Sequence, residues 1–333
     1  MPTSTYRKRR AFQIENRSLR LTVLNEGGHV AEIFHKAAAV NPLWSPPWPT
    51  IEPSTYHPAT HPEYGRNSES RLLAGIMGHN LCMDIFGGPS DEEAAAGLSV
   101  HGEASVAAYE ITGSDSALLM HAEFPESRLR FKREIALDGL RAIFTETVEN
   151  ASACDRPIGW TQHVTLGPPF LKKGVTRFEA SAGRSKTSEG DFAGGKGYLA
   201  IGAEFDWPNA PRLNGGSVDL RPFTNLPSSA AFTTQLMNRE DAFFTAEARG
   251  LKFGYRWRRS DFPWLGIWEE NCARTSAPWN GCTITRGMEF GVSPMPETRK
   301  AMIERGSLFG VPSFRWIPAG ERITVRYEAF FEG

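Results

Sequence analysis

The chain has 333 residues, with 37 basic and 38 acidic side chains and a formal net charge of −1. This balance provides no basic field for nucleic acid or an anionic membrane surface, so a small uncharged ligand is the more natural partner. The four cysteines lack CxxC spacing, and no run approaches the roughly 20 apolar residues of a membrane span. We therefore expect a soluble cytoplasmic protein, a monomer or a homodimer.

Short strands recur along the chain in the order of the sequence. Aromatic residues make up 11%, and 32 Gly and 23 Pro punctuate the apolar alternation, as in proteins with many short strands. The alternation predicts strands within the ranges Phe12–Leu24, His29–Lys36, Ser105–Phe124, Leu129–Leu137, Leu140–Asn150, Gly250–Trp257, Trp264–Trp268 and Arg322–Phe331.

Three stretches have a different character. Prolines and tryptophans fill residues 41–63, which predicts an ordered surface loop whose two tryptophans either cap the core or form a pocket wall. Gly183–Gly197 is predicted to be an exposed loop, and Pro296–Ile303 one short helix. With few helices and many strands, we expect an all-β sandwich or barrel formed by a single domain over residues 1–333.

One histidine follows a predicted β-hairpin. Asp138-Gly139 is a two-residue turn signal between strands Leu129–Leu137 and Leu140–Asn150. His163 then lies in Trp160-Thr-Gln-His163-Val-Thr, followed by Gly167-Pro168-Pro169. We expect it at the end of this sheet, where a fixed imidazole either does acid–base work near neutral pH or is a half-buried structural histidine.

Two further groups are candidates for chemistry. His101 stands in His-Gly-Glu, and Glu289 stands in Arg-Gly-Met-Glu-Phe-Gly-Val-Ser-Pro-Met-Pro. Both have glycine and apolar neighbours, among which the pKa of a carboxylic acid rises toward the range of a general base. The sequence separations are long, so convergence of the three groups is a hypothesis.

The order of several short motifs resembles the aldose 1-epimerase (galactose mutarotase-like) family over most of the chain. None is specific alone, and their co-linearity is the evidence. They are Gly28-His-Val-Ala-Glu-Ile33, Ser70-Arg71-Leu-Leu-Ala-Gly75, His101-Gly102, Thr147-Val-Glu-Asn150, Gly287-Met-Glu289 with Pro294-Met-Pro296, and Ile317-Pro-Ala-Gly-Glu321. The chain departs from the family pattern in lacking Thr-Gln after Glu289 and the aromatic pair after His163, and in a longer Arg71–His101 interval.

The resemblance implies a supersandwich of two large antiparallel sheets with a sugar in a cleft on one of them. It also implies roles: Glu289 as the base, His163 as the acid, and His101 as a hydrogen-bonding group at the same end of the sugar. Since only protons move, no metal or organic cofactor is implied. The expected sugar-binding residues are Arg71, His79, Asp241, Trp268 and Glu269.

Other functions remain open at this stage. The same fold hosts carbohydrate-binding proteins without turnover. A cupin-like metal site would use His79, His101 and Glu103, with His-x-Glu placing two ligands on one face of a strand. A lyase or glycoside hydrolase would need two carboxylates, for which Glu269 or Glu270 with Glu289 is the candidate pair.

Overall fold

A computed structural model of the chain describes residues 4–191 and 195–332. Its larger sheet has twelve antiparallel strands in the order β1-β2-β3-β4-β5-β10-β20-β19-β16-β12-β13, with β23 beside the start of β10. These strands are β1 (Ser4–Tyr6), β2 (Arg9–Glu15), β3 (Leu19–Leu24), β4 (Val30–His35), β5 (His79–Asp84), β10 (Arg156–Leu166), β12 (Ala182–Thr187), β13 (Glu204–Asp206), β16 (Ser229–Met237), β19 (Trp264–Asn271), β20 (Ile284–Gly291) and β23 (Arg315–Ile317).

The second sheet has eight antiparallel strands in the order β11-β17-β18-β24-β9-β8-β7-β6. They are β6 (Glu110–Gly113), β7 (Ala117–Phe124), β8 (Leu129–Asp138), β9 (Arg141–Asn150), β11 (Arg177–Ala180), β17 (Asp241–Ala248), β18 (Leu251–Arg258) and β24 (Arg322–Glu332). Two small hairpins pair β14 (Asn209–Pro211) with β15 (Ser217–Asp219), and β21 (Ser307–Leu308) with β22 (Val311–Pro312).

Helices are few and short. They are α1 (Ser70–Gly75), α2 (Asp91–Ala95) and α3 (Arg299–Arg305), with 3₁₀ turns at Pro53–Thr55 and Pro62–Tyr64. Over residues 4–191 and 195–332, none of the helices has the length and apolar character needed to cross a membrane.

The main hydrophobic core lies between the two sheets. Every second residue is buried along β9 and along β8 as far as Ile135, and Phe131 and Phe144 from these strands pack in one cluster with Trp160 of β10. A second cluster lies on the outer face of the larger sheet, where Trp44 and Trp48 contact Trp279. The larger sheet is therefore covered on both faces, which explains why β5, β10, β19 and β20 are buried over almost their whole length.

The structure confirms the all-β sandwich and most of the predicted strands. It corrects the placement of His163, which lies inside β10 in the larger sheet, whereas the β8–β9 hairpin belongs to the smaller one. Asp138 pairs with Arg141, so the hairpin turn is formed by Gly139 and Leu140. Asp138 is therefore the last residue of β8 and not the first residue of the turn.

Two other local predictions need correction, and a third, which left two alternatives open, is decided. Residues 183–187 form most of β12, because the edge beyond β16 is open for pairing; residues 192–194 of the same predicted loop lie outside the described residues. The helix predicted at Pro296–Ile303 begins at Arg299, where Thr298 caps it. Within residues 41–63, Trp44 and Trp48 are buried and cap the outer core.

Candidate active site

Glu289 and His163 face each other across two central strands of the larger sheet. They are direct partners in the antiparallel ladder of β10 and β20, so both side chains project from the same face. His163 Nε2 lies 3.1 Å from Glu289 Oε1, and both side chains are buried. Strand register thus brings together two groups that are 126 positions apart in the chain.

Burial controls the ionisation of this pair. It raises the pKa of Glu289 to about 8, and it lowers the pKa of His163 well below its usual value, with neighbouring His101 adding to the effect. The other imidazole nitrogen, Nδ1, is 3.0 Å from Thr165 Oγ1. Near pH 7 the pair therefore holds one proton, on the carboxylic acid in the resting state.

Glu289 has a free hydrogen-bonding position. Among the described residues, its Oε1 accepts no hydrogen bond of good geometry, although His163 Nε2 is near. Trp268 Nε1 is likewise buried without an acceptor there. Buried polar atoms are normally paired, so these two atoms are available to a bound molecule.

Glycines keep the sheet floor clear around Glu289. A Cβ at Gly287 would lie 2.2 Å from Glu289 Oε1 and 3.2 Å from the Trp268 ring. Across the ladder, Gly266 is the β19 partner of Glu289, and a Cβ there would lie 3.1 Å from the Phe232 ring. The carboxyl group occupies space that a side chain at position 287 would fill.

His101 approaches the pair from the loop after β5. Its ring centroid is 5.1 Å from that of His163, and its Nδ1 is 2.5 Å from the carbonyl oxygen of Phe86. A protonated Nδ1 donates to that carbonyl, which leaves Nε2 as an acceptor. His101 has φ 65°, and a Cβ on Gly102 would come within 1.9 Å of Met83 O, so this tight turn fixes the imidazole.

The three groups line one cavity of about 190 Å³, far more than the about 10–15 Å³ that one water needs. Its floor is the larger sheet, and its walls come from α1, the loop after β5, the segment after β19, and Pro296. Glu69 and Arg274 are the more exposed lining groups, with 38% and 28% of their side chains accessible, against 3% for Glu289. The pair lies at the deep end, and Arg274 and Glu69 lie nearer the mouth.

Arg274 is held by aromatic rings. Its guanidinium carbon lies 5.5 Å from the centroid of Trp268 and 4.8 Å from that of Trp279, within the range of cation–π contacts. Both rings also line the cavity. This arrangement fixes an otherwise flexible side chain at the opening.

The structure separates the other predicted binding residues from this cavity. Trp268 lines it, whereas Arg71 is exposed on α1 with its Nε 3.4 Å from the carbonyl of Pro53. His79 is buried between the sheets, where its ring nitrogens contact Gln162 Oε1 and Tyr255 OH. Asp241 is exposed at the start of β17 in the other sheet.

Glu269 faces away from Trp268 because successive strand residues alternate between faces. It accepts a hydrogen bond from Arg286 at 2.8 Å and from Ser229 at 2.8 Å. Glu270 returns to the Trp268 face, but its Oε1 accepts from the backbone N–H groups of Ala273 and Arg274. The paired carboxylates needed by the glycoside hydrolase hypothesis therefore gain no support from the geometry.

The ligands of the cupin-like hypothesis are also dispersed. Glu103 accepts hydrogen bonds from the N–H and hydroxyl of Ser127, while His79 is engaged in the core. Over residues 4–191 and 195–332, no cluster of three or more His, Cys, Asp or Glu side chains could hold a metal ion.

Comparison with known proteins identifies the fold. No family model matches the sequence, and none of the curated protein sequences is significantly similar to it. Among solved structures, a candidate aldose 1-epimerase from Klebsiella pneumoniae superposes with a TM-score of 0.70 at 12% identity, covering 98% of this chain and 81% of that one. The chain has the galactose mutarotase-like fold.

Two further solved structures agree. A galactose mutarotase-like protein from Clostridium acetobutylicum has a TM-score of 0.67 at 13% identity, with 100% of this chain and 98% of that chain covered. A candidate aldose 1-epimerase from Escherichia coli has a TM-score of 0.65 at 14% identity, with 97% and 98% covered. The supersandwich that the sequence motifs predicted is thus confirmed.

Sequence reasoning missed several lining residues, chiefly Glu69, Arg274 and Trp279. No local pattern marks them, since each lies in an irregular segment and reaches the cavity through the path of its loop. The excess of tryptophan was the available signal, because an arginine close to a tryptophan-rich segment is a candidate for stacking.

Proposed function

We propose that this protein is a sugar 1-epimerase, which interconverts the α and β anomers of an aldose by opening and closing the ring. The observation that carries the proposal is the Glu289–His163 pair, 3.1 Å apart at the deep end of a cavity with His101 beside it. The anomeric hydroxyl and the ring oxygen are bonded to the same carbon, so an acid and a base that act on both must be close neighbours.

In the proposed reaction, Glu289 takes the proton of the anomeric hydroxyl while His163 donates a proton to the ring oxygen. The bond between C1 and the ring oxygen breaks, and the open-chain aldehyde forms. Rotation about the C1–C2 bond presents the other face of the carbonyl, and the two proton transfers run in reverse as the ring closes. His101, with Nδ1 bonded to Phe86, holds the reacting end of the sugar through Nε2.

The pair acts with one proton between its two members. In the resting state the proton is on Glu289, whose pKa is raised to about 8, and transfer to His163 gives the reactive form without gain or loss of a proton. The pKa that governs the rate then belongs to the pair, and loss of its proton leaves a base with no acid. We expect kcat/KM to be constant at neutral pH and to fall about tenfold per pH unit above pH 8.

Polarimetry of freshly dissolved α-aldoses tests the proposal, with the rate without enzyme subtracted at each pH. Glu289→Gln should lose activity by about 10²–10⁴-fold, the usual contribution of a general acid–base group. Glu304→Gln, an exposed carboxylate on α3, is the matched control. No acceleration across a broad panel of aldoses, or full activity in Glu289→Gln, rejects the epimerase assignment.

If the protein binds aldoses without accelerating mutarotation, it is instead a carbohydrate-binding protein of the same fold. Quenching of the fluorescence of Trp268 and Trp279, which line the cavity, reports such binding separately from turnover. A rate that rises above pH 8 would show that Glu289 acts alone as a deprotonated base.

A further inference from the structure

Arg274, at the mouth of the cavity, lies near two carboxylates: Glu69, which lines the cavity, and Glu270, which is buried and outside the lining. Arg274 Nη1 lies 3.8 Å from Glu69 Oε2, and Arg274 Nε lies 3.6 Å from Glu270 Oε2. Both distances exceed a good hydrogen bond, so the guanidinium donors are not used up by these carboxylates. Two rings, Trp268 and Trp279, hold the guanidinium at this position.

This arrangement is poorly suited to an anionic substrate. A phosphate or carboxylate at Arg274 would lie near Glu69, which lines the same cavity, and the two negative charges would repel each other. The other cation candidates in the lining, His101 and His163, are buried, and burial lowers the pKa of each. Among the described lining residues, Arg274 is the one permanent cation, and its charge is already balanced.

The same arrangement suits hydroxyl groups. Each sugar hydroxyl both donates and accepts a hydrogen bond, whereas a guanidinium donates and a carboxylate accepts. Arg274 and Glu69, 3.8 Å apart, can therefore bind neighbouring hydroxyls in opposite senses. A site whose polar groups pair with hydroxyls discriminates against a ligand that leaves those polar groups unpaired.

On the basis of the proposed function, we propose that the substrate is an uncharged aldose, whose hydroxyls remote from C1 are held by Arg274 and Glu69. Glu69 disfavours the binding of sugar phosphates and uronic acids. Arg274 and Glu69 are then specificity-determining residues, while Glu289 and His163 carry the chemistry.

The test compares a hexose, its 6-phosphate ester and the corresponding uronate in two assays with the full-length protein. Polarimetry measures acceleration, and tryptophan fluorescence measures binding. We expect kcat/KM for the free hexose to exceed that for either anion by at least about tenfold, with the same order of affinities. A sugar phosphate or uronate that binds more tightly than the free hexose overturns this inference, whether or not turnover occurs.

A charge variant sharpens the test. Glu69→Gln keeps the shape and removes the repulsion, so the preference for the hexose over its 6-phosphate should narrow about tenfold. Glu63→Gln, an exposed carboxylate of the same covering segment, should leave the preference unchanged. Equal preferences in the two variants contradict the role of Glu69, whereas failure of every aldose to react while the free hexose binds best contradicts the epimerase assignment alone.

Discussion

Two buried glutamates, one on each side of strand β10, have opposite surroundings. Glu146 lies between the sheets and accepts hydrogen bonds from Arg133, Trp160, Gln162 and Tyr327 at 2.6–3.1 Å. Glu289 lies on the outer face of the larger sheet, where it is next to the His163 imidazole and the cavity. A buried carboxylate with every partner supplied stabilises a fold, while one left without partners is available to a ligand.

The comparison is visible within three residues of β10. Trp160 and Gln162 point to Glu146, and His163 points to Glu289, because neighbouring residues of a strand project to opposite faces. The Arg133–Glu146 ion pair is fully buried, and through Glu146 it holds β10 on the side that faces the hydrophobic core. Glu289 and His163 therefore lie on a part of the larger sheet that is held by polar contacts as well as by apolar packing.

The largest effect is expected at Glu146. Glu146→Gln removes the charge opposite Arg133, which would remain buried without a counter-ion, so the free energy of unfolding should fall by about 3–5 kcal/mol. Denaturant titration measures the loss. Glu149→Gln is the matched control on the same strand, because its partners Arg130 and Arg322 are exposed and such pairs contribute less than about 1 kcal/mol.

A smaller effect is expected at Glu289. There the negative charge should destabilise the folded state, whereas the charge of Glu146 stabilises it. Its folded pKa of about 8 exceeds its usual value, so the folded state holds a proton that the unfolded state has released, and stability falls as pH rises toward 8. Between pH 6.5 and pH 8 the wild-type protein should lose about 1.6 kcal/mol relative to Glu289→Gln. The buried histidines, whose pKa values are lowered, affect stability mainly below pH 6.5.

Paired urea titrations of the wild-type protein and Glu289→Gln across this pH range check the prediction. Parallel stability curves for the two proteins would show that the carboxyl group is ionised in the folded state. That result would also contradict the proposal that the Glu289–His163 pair holds one proton near pH 7.

The smallest effect is expected at Gly287. In Gly287→Ala the new methyl would collide with Glu289 Oε1 at 2.2 Å, so the carboxyl group must rotate out of place. We expect the rate of mutarotation to fall about tenfold, equivalent to about 1.4 kcal/mol in the barrier, with a melting temperature close to wild type. Gly183→Ala is the matched control: it lies on β12 of the same sheet, its φ is not positive, and its Cβ would meet nothing closer than Asn238 Cβ at 3.5 Å.

A change in KM alone for Gly287→Ala would place the glycine in binding rather than in positioning the base. An unchanged rate would mean that the observed position of Glu289 does not matter for the reaction.

The fold was largely predictable because its information is local. Alternating apolar residues in β8 and β9 and the glycine-containing turn between them predict the hairpin, with an error of one residue at the turn. Motif order then predicted the sandwich class. Residues 183–187 were missed as a strand because Gly, Ser and Lys carry little strand preference, and pairing with β16 overrides it.

The site was less predictable because it is assembled by register and loop paths. His101, His163 and Glu289 were named from motifs and Trp268 as a tryptophan that could stack on sugar, and all four meet in one cavity, although their roles remain proposals. Arg71 lies in a matching motif segment and His79 lies just after it, but both are outside the cavity, since Arg71 faces solvent and His79 faces the core. Sequence identifies such side chains, whereas their direction depends on strand parity and helix rotation.

The alternation of side chains between the two faces of β10 also constrains how the sequence of this protein can evolve. A single residue inserted or deleted between Trp160 and Gln162 would turn the His163 imidazole toward the hydrophobic core between the sheets and turn Gln162 toward the cavity. A substitution in this segment changes one side chain at a time. A change in its length would displace both Gln162, which contacts Glu146, and His163, which contacts Glu289. The spacing of this strand is consequently a tighter constraint than the identity of most of its members.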